Sequence, residues 1–308
     1  MTRALVPAVA VALAAALMTA GPSAAPQASG SGPAQGQAQT PSQSIFRASI
    51  EGVSVSVSVR KGGQAVQDLT AADFQLEDNG VAQRIQAVSV ETLPIDVTLM
   101  LDVSASVEGR RLERLKRSVT ETAQYIRPDD QFRLIAVQHS LQQIFGFQPG
   151  GTVPAVDALQ ARGGTSLLDG LAATLMRAAE PERRQLIISY TDGQDTISIL
   201  DRESVANVAG FADAVLYFVV PTSGARNRTT STAATLADLA VRTGGEVFWV
   251  DYDAPISDAF QRALEAFRKS YVLRYTPAGV KEGGWHEVTV RVPKDPTYEI
   301  RARRGYGG

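Results

Sequence analysis

The sequence predicts an α/β fold: a doubly wound, mostly parallel sheet inserted in a small β-sandwich domain. In the middle of the chain, short apolar segments alternate with amphipathic ones, which is typical of parallel strands covered by helices on both faces. On either side of that part, apolar and polar residues alternate as in strands with one buried face. Each flanking piece has few strands for a stable sheet domain, so we expect residues 44–94 and 271–308 to fold together around an inserted domain, residues 95–270.

The first 25 residues have the order of regions found in a secretory signal peptide. Arg3 precedes an apolar, alanine-rich run that ends near Gly21 and is followed by small residues. We therefore expect residues 1–25 to direct the protein out of the cell or into the cell envelope, with retention as a single-span anchor as the alternative. Residues 26–43 are rich in Pro, Gly, Ser and Gln without charge, which predicts a disordered linker.

The first β piece follows this linker. Val53, Val55, Val57 and Val59 alternate with serines, the period-2 pattern of a strand. Farther on, an Asn-Gly pair at residues 79–80 separates two apolar patterns. This dipeptide favours a tight hairpin turn, so we predict a hairpin there.

From residue 95 the chain alternates strands and helices. The first helix carries apolar side chains at steps of three and four residues, which form one helical stripe. The predicted strands are 97–101, 132–137, 186–190, 215–220 and 247–250, and the predicted helices lie near 112–126, 166–179, 204–212, 233–242 and 256–269.

The last part of the chain returns to β patterning. Tyr271, Leu273 and Tyr275 alternate with other residues, and valines alternate over residues 288–292. His286, next to Trp285, is expected to be a surface residue of a β-hairpin.

Composition limits the chemistry of any site. The 308 residues are 44% hydrophobic and 20% charged with a formal net charge of −2, so no strong field attracts nucleic acid, and we expect none as a partner. The sequence has no cysteine and two histidines, His139 and His286. Any bound metal must therefore rely on oxygen ligands.

Three oxygen-rich turns lie where such ligands are expected to converge. Asp102, Ser104 and Ser106 follow the first α/β strand, Thr165 precedes a helix, and Asp192 follows a later strand. In an open parallel sheet, the loops at the carboxyl ends of the strands meet at one edge. Two carboxylates buried together repel each other, and a divalent cation removes that repulsion. These five residues therefore predict a site for Mg²⁺ or Mn²⁺, with Ca²⁺ as a further candidate.

Simpler roles exist for some of these acidic and hydroxyl side chains. An Asp-x-Ser-x-Ser segment alone is more often a helix cap than a set of metal ligands. Only its combination with Thr165 and Asp192 favours a metal-binding site. We expect Asp169 to be a first-turn residue of its helix, favoured by the helix dipole, with support of the metal ligands as the alternative. Asp195 has the same two interpretations.

These residues resemble the von Willebrand factor type A (VWA) domain. That family carries a metal-ion-dependent adhesion site (MIDAS) built from DxSxS, a Thr and a TD-type Asp on three loops of a Rossmann-like fold. The resemblance implies that Ser104, Ser106 and Thr165 are direct or near-direct ligands and that Asp102 and Asp192 bind directly or through water. Ala105 and Val107 stand where Gly and Met are more frequent, and neither position is a ligand.

The flanking segments are similar to the bacterial VWFA-related Acidobacterial domain family. The similar segments are 68–74, 77–80, 275–277 and 303–306. This second resemblance bears on the fold more than on the role. Together with the predicted export signal, the resemblance to the VWA domain implies an exported, non-enzymatic protein whose metal ion binds an Asp or Glu carboxylate of a protein partner. The alternative is a structural or assembly protein in which the metal stabilises the fold and the β-sandwich makes the contacts.

Overall fold

A computed structural model describes residues 52–90, 93–152, 154–178, 180, 182–222 and 231–308. The predicted signal peptide (1–25), the predicted linker (26–43) and the start of the first β piece lie outside these residues. None of the helices within the described ranges is long and apolar enough to cross a membrane.

In the described part of the chain, a six-stranded sheet forms the centre of the α/β part. Its strands are β6 (Ile95–Asp102), β7 (Gln131–Val137), β8 (Leu141–Pro149), β9 (Arg184–Tyr190), β10 (Val215–Thr222) and β11 (Val247–Asp251). They lie in the spatial order β11-β10-β9-β6-β7-β8. All neighbouring pairs are parallel except β7 and β8. The mostly parallel sheet is as predicted, and β8 is an antiparallel edge strand that the sequence patterns did not indicate.

Within the described residues, five α-helices cover both faces of this sheet. They are α1 (Arg110–Ala123), α2 (Leu167–Leu175), α3 (Arg202–Phe211), α4 (Ser231–Thr243) and α5 (Ile256–Arg268). One apolar core contains Leu99 of β6 with side chains of α1 and α5, and the other contains Met100 with side chains of α2, α3 and α4. Successive residues of β6 point to opposite faces, so each face has its own core and the fold is doubly wound.

Two antiparallel sheets combine strands from both ends of the described chain. Their strands are β1 (Val53–Lys61), β2 (Gln64–Ala65), β3 (Gln75–Asp78), β4 (Val81–Gln83), β5 (Ala87–Val90), β12 (Tyr271–Tyr275), β13 (Trp285–Arg291), β14 (Glu299–Ala302) and β15 (Gly305–Gly307). One sheet has the order β14-β1-β12-β5, with β2 beside β1, and the other has the order β15-β13-β3-β4. Strands that precede the α/β part therefore pair with strands that follow it. Where the domain boundaries lie stays a prediction.

The predicted hairpin at Asn79-Gly80 is present. Strands β3 and β4 pair across it, with Asp78 opposite Val81. Both turn residues have positive φ, 47° at Asn79 and 77° at Gly80. This backbone conformation is the reason why Asn-Gly favours such turns.

His286 is not the surface residue that we expected. It is only 3% exposed, and its Nδ1 lies 2.9 Å from Oδ1 of the fully buried Asp78. Tyr275 and Tyr306 each donate a hydroxyl hydrogen bond to Oδ2 of Asp78, at 2.9 and 2.8 Å. The ring of Tyr306 on β15 stacks on the imidazole and covers it. The alternating pattern around residue 286 could not indicate that an aromatic ring covers the imidazole, because Tyr306 is distant in sequence.

Candidate metal centre

Asp102 is the centre of a polar cluster at the carboxyl end of β6. Its side chain is 3% exposed. Oδ1 accepts hydrogen bonds from the Ser104 backbone N–H at 3.1 Å and from the Thr165 hydroxyl at 3.3 Å, and Oδ2 accepts one from the Thr191 hydroxyl at 3.0 Å. One carboxylate thus joins the loops that follow β6 and β9 to the segment that enters α2.

The segment after Asp102 turns sharply and brings two serine hydroxyls together. Ser104 precedes a short 3-10 helix, Ala105–Val107. The Oγ atoms of Ser104 and Ser106 lie 3.0 Å apart, with Ser104 buried and Ser106 exposed. The alternate spacing of the two serines therefore places both hydroxyls on the same side of the turn.

Thr165 reaches this cluster because two glycines let its loop pass close to its neighbours. Gly163 has a φ of +67°, and its carbonyl accepts a hydrogen bond from the Ala105 N–H at 3.0 Å. A Cβ atom at Gly164 would lie 2.7 Å from Oγ1 of Thr196, which is too close for any side chain. The Thr165 N–H donates to that same oxygen at 2.9 Å. These contacts fix Thr165, which is only 3% exposed, so that its hydroxyl donates a hydrogen bond to Asp102.

Asp192 lies at the rim of the cluster and is half-buried. Its Oδ1 accepts a hydrogen bond from the Gln194 N–H at 3.0 Å, which fixes the side chain in the turn after β9. Asp102, Ser106 and Asp192 line one small cavity of about 20 Å³, together with Val107, Arg111, Tyr190, Pro221 and Tyr252. A cavity of this size holds about one water-sized particle.

Electrostatics at the cluster favour a cation. Burial, with a smaller contribution from the negative charge of Asp192, raises the pKa of Asp102 to about 6, against the lowering effect of the hydrogen bonds from Ser104 and Thr191. A positive ion between the two carboxylates would remove the repulsion and compensate for the lost hydration. The donor set consists of carboxylate and hydroxyl oxygens, which suits a hard divalent cation.

The donor chemistry also limits the kind of metal site. Over the described ranges of the chain, no group of three or more His, Cys, Asp and Glu residues could hold a metal ion. The cluster brings together two carboxylates, so hydroxyls and water would have to supply the remaining coordination positions of a metal ion. The five predicted residues fit a cation of the Mg²⁺ type better than a metal that needs several imidazole or thiolate ligands.

The structure adds residues that the sequence reasoning did not select. Thr191 bridges the site, because its hydroxyl donates to Asp102 and accepts from the Gly193 N–H at 2.9 Å. Its position directly before Asp192 is the signal that could have indicated this role. Arg111 lines the cavity, donates to the Ser106 carbonyl at 3.0 Å, and stacks its guanidinium on Tyr252.

Asp169 and Asp195 do not line the cavity around Asp102, and both bind backbone N–H groups. Asp169 lies in the first turn of α2, as expected, and accepts from the N–H groups of Ile199 and Leu200. Asp195 accepts from the N–H of Leu168 at 2.8 Å. Both carboxylates thus fix the loop that follows Asp192.

Part of this chain matches a known family of domains. Residues 97–194 match the family model of the von Willebrand factor type A domain. Inter-alpha-trypsin inhibitor heavy chain H4 of Homo sapiens is 25% identical over 158 residues, which are 45% of this chain and 17% of that protein. An uncharacterized protein of Synechocystis sp. is 29% identical over 116 residues, which are 36% of this chain and 28% of that protein.

Among solved structures, proximal thread matrix protein 1 from the mussel byssus, with a zinc-occupied MIDAS motif, is similar in fold. It is 17% identical, with a TM-score of 0.45, over 63% of this chain and 50% of that chain. The matched part of this chain spans less than a third of the length of either curated relative. The family match covers both Asp102 and Asp192. This chain contains a von Willebrand factor type A domain.

Proposed function

We propose that this protein is an exported, non-enzymatic module that binds a protein partner through a divalent cation at its VWA domain. The observation that carries the proposal is the hydrogen bonding of Asp102 to Thr165 and Thr191 on two other loops. These bonds hold the buried carboxylate of Asp102, which lines one small cavity together with Ser106 and Asp192. Such a cluster can bind a cation and a protein partner without any catalytic step.

The proposed ligands divide into two kinds. Ser104, Ser106 and Thr165 offer hydroxyl oxygens, and Asp102 and Asp192 offer carboxylates that bind directly or through water. Two carboxylates balance the charge of a divalent ion, while neutral hydroxyls leave it able to attract a further anion. When bound, the cation would supply one coordination position to an Asp or Glu side chain of the partner.

Export and the surrounding domain belong to the same proposal. The signal-peptide pattern of residues 1–25 supports a secreted, periplasmic or envelope location. The pairing of β1 with β12 and of β3 with β13 supports a β-sandwich interrupted by the VWA domain. This organisation agrees with the resemblance of the flanks to the VWFA-related Acidobacterial domain family.

The Thr165→Ala variant tests the adhesive role. Loss of this hydroxyl removes one proposed ligand and one hydrogen bond to Asp102, so partner binding should fall about tenfold or more while the fold is retained. The measurement is capture of partners from envelope extracts in Mg²⁺, followed by release with EDTA. Thr152→Ala is the control, because Thr152 is exposed and follows β8 at the opposite edge of the sheet.

Two results are informative. Partners that elute with EDTA, return with Mn²⁺ and are lost with Thr165→Ala support adhesion through the ion. Partners that stay bound in EDTA and bind the variant normally contradict it. In that case the β-sandwich makes the contacts, and the cation has only a stabilising role.

A further inference from the structure

Arg111, the second residue of α1, is the one basic side chain that lines the small cavity at Asp102 in the described part of the chain. The two acidic side chains of that cavity are Asp102 and Asp192. A guanidinium has no acceptor atom, so Arg111 is not itself a metal ligand. A positive side chain beside a cation site weakens the binding of the cation, so metal binding alone does not explain its position.

Two contacts hold the guanidinium of Arg111 in place. Its Nη1 donates to the carbonyl oxygen of Ser106 at 3.0 Å, and its Cζ lies 4.7 Å from the centre of the Tyr252 ring. Ser106 and Tyr252 also line the cavity, so both contacts keep the guanidinium beside it. A stacked guanidinium uses its face for the aromatic ring, and the N–H groups in its plane stay able to donate hydrogen bonds.

Most N–H groups of Arg111 are not used by the protein. A guanidinium carries five of them, and over the described ranges Arg111 donates one hydrogen bond and forms no ion pair. Arg114, three residues farther along α1, differs. It donates to the carbonyl oxygens of Tyr252 and Ala254 at 2.6 and 2.8 Å, and its Nη1 lies 3.8 Å from Oδ1 of Asp253. Arg111 therefore has donors left for a ligand, while Arg114 fixes the turn that contains Tyr252.

The charges that line the cavity favour one further anion. A divalent cation balances the carboxylates of Asp102 and Asp192, and Arg111 then leaves the site with one positive charge in excess. One incoming carboxylate restores neutrality. Asp195 and Arg202, the nearest charged pair on the loops after Asp192, line a different cavity and do not change this balance.

We infer that Arg111 binds the second oxygen of the partner carboxylate whose first oxygen binds the cation. The inference rests on the proposed function, since the carboxylate needs the bound ion. The hydrogen bond from a guanidinium to a carboxylate is charge-assisted, and the planar fork of N–H groups suits such an anion. The amide of Asn or Gln would instead bring its own NH₂ group against these donors. Arg111 therefore determines specificity, because it favours Asp or Glu over their amides at the open coordination position.

Two titrations of the full chain test this role. Electron paramagnetic resonance of free Mn²⁺ gives the affinity for the metal alone. Water proton relaxation of the Mn²⁺-loaded protein gives the affinity for acetate, a carboxylate that displaces water from the ion. Arg111→Gln should bind Mn²⁺ at least as tightly as the parent, because a positive charge beside the ion is lost. It should bind acetate about tenfold more weakly, because a charge-assisted hydrogen bond is lost.

Arg111→Lys and Arg110→Gln are the matched controls. Lysine keeps the charge without the planar fork, so Arg111→Lys should bind acetate with an affinity between those of the parent and Arg111→Gln. Arg110→Gln removes the same charge from the neighbouring residue, which is exposed and does not line the cavity. Its affinity for acetate should equal that of the parent.

The outcomes separate the inference from the proposed function. Equal acetate affinity in Arg111→Gln and the parent overturns the inference and leaves metal-dependent adhesion in place. Weaker Mn²⁺ binding by Arg111→Gln also overturns it, because Arg111 then acts by positioning Ser106. An equal loss of acetate binding in Arg110→Gln shows a general effect of charge and overturns it as well. A parent that binds no Mn²⁺, or binds Mn²⁺ without acetate, contradicts the proposed function, and the inference falls with it.

Discussion

Replacing Asp102 with asparagine is expected to abolish the stabilisation of the fold by divalent cations. In the parent chain, a cation that binds only the folded state stabilises it by about 2.7 kcal/mol at a concentration 100 times its Kd. For a domain of about 150–250 residues, such as the predicted VWA domain, each kcal/mol raises the melting temperature by about 2–4 °C. The variant keeps the shape of Asp102 but loses its charge, so Mg²⁺ and Mn²⁺ should leave its melting temperature unchanged.

The measurement is thermal unfolding in EDTA, Mg²⁺ and Mn²⁺ for parent and variant. Asp253→Asn is the control, because Asp253 is a fully exposed aspartate in the turn before α5. It should respond to cations like the parent. An equal cation response in Asp102→Asn and the parent would remove Asp102 from the metal site.

Asp78→Ala should destabilise the β-sandwich by about 3–5 kcal/mol, because a fully buried acceptor of three side-chain groups is lost. His286, Tyr275 and Tyr306 would all keep their polar atoms without that partner. Tyr275 belongs to one antiparallel sheet, and Asp78, His286 and Tyr306 belong to the other. The variant therefore removes hydrogen bonds that connect the two sheets.

Chemical unfolding, followed by tryptophan fluorescence and circular dichroism, measures this loss. If the flanking strands form a domain of their own, only one transition should move in Asp78→Ala, and the cation-dependent transition of the VWA domain should persist. Asp295→Ala is the control: Asp295 pairs with the exposed Lys61 in the same part of the protein, and its loss should have little effect. Equal stability of Asp78→Ala and the parent would refute the structural role of this cluster.

The α/β part could be predicted because each element carries its own local signal. Strand β6 is buried at every position, and its central part, residues 97–101, appears in the sequence as an apolar segment in which Thr98 is the one polar residue. Helix α1 has buried residues Leu115, Val119 and Ala123 at steps of four, which define one face. Such patterns depend on periodicity alone and need no knowledge of distant residues.

Features that depend on distant partners could not be predicted in the same way. Strand β8 is polar at many positions and lies at the sheet edge, and one of its apolar contacts is Phe145 against Phe132 of the neighbouring strand. The burial of His286 depends on Asp78, 208 residues away in sequence. Neither contact produces a periodic pattern of apolar residues in its own segment of the sequence.

The candidate metal centre was partly visible in the sequence. Asp102, Ser104 and Ser106 show their relation through spacing, while Thr165 and Asp192 required the expectation that loops at one sheet edge converge. The structure brings Thr165 onto Asp102 and places Asp192 in the same cavity. The bridging role of Thr191 and the fixing by Asp169 of the loop that follows Asp192 arise from tertiary hydrogen bonds, which spacing does not encode.

Titration of Mn²⁺ into the folded chain, with free Mn²⁺ followed by electron paramagnetic resonance, tests the metal site most directly. The parent should bind one Mn²⁺, and Mg²⁺ should compete for that site. A double variant, Asp102→Asn with Asp192→Asn, should bind none while it keeps the parent's circular dichroism spectrum. Binding of Mn²⁺ by the double variant with the parent's stoichiometry and affinity, or no binding by the parent, would contradict a cation site at Asp102, Ser104, Ser106, Thr165 and Asp192.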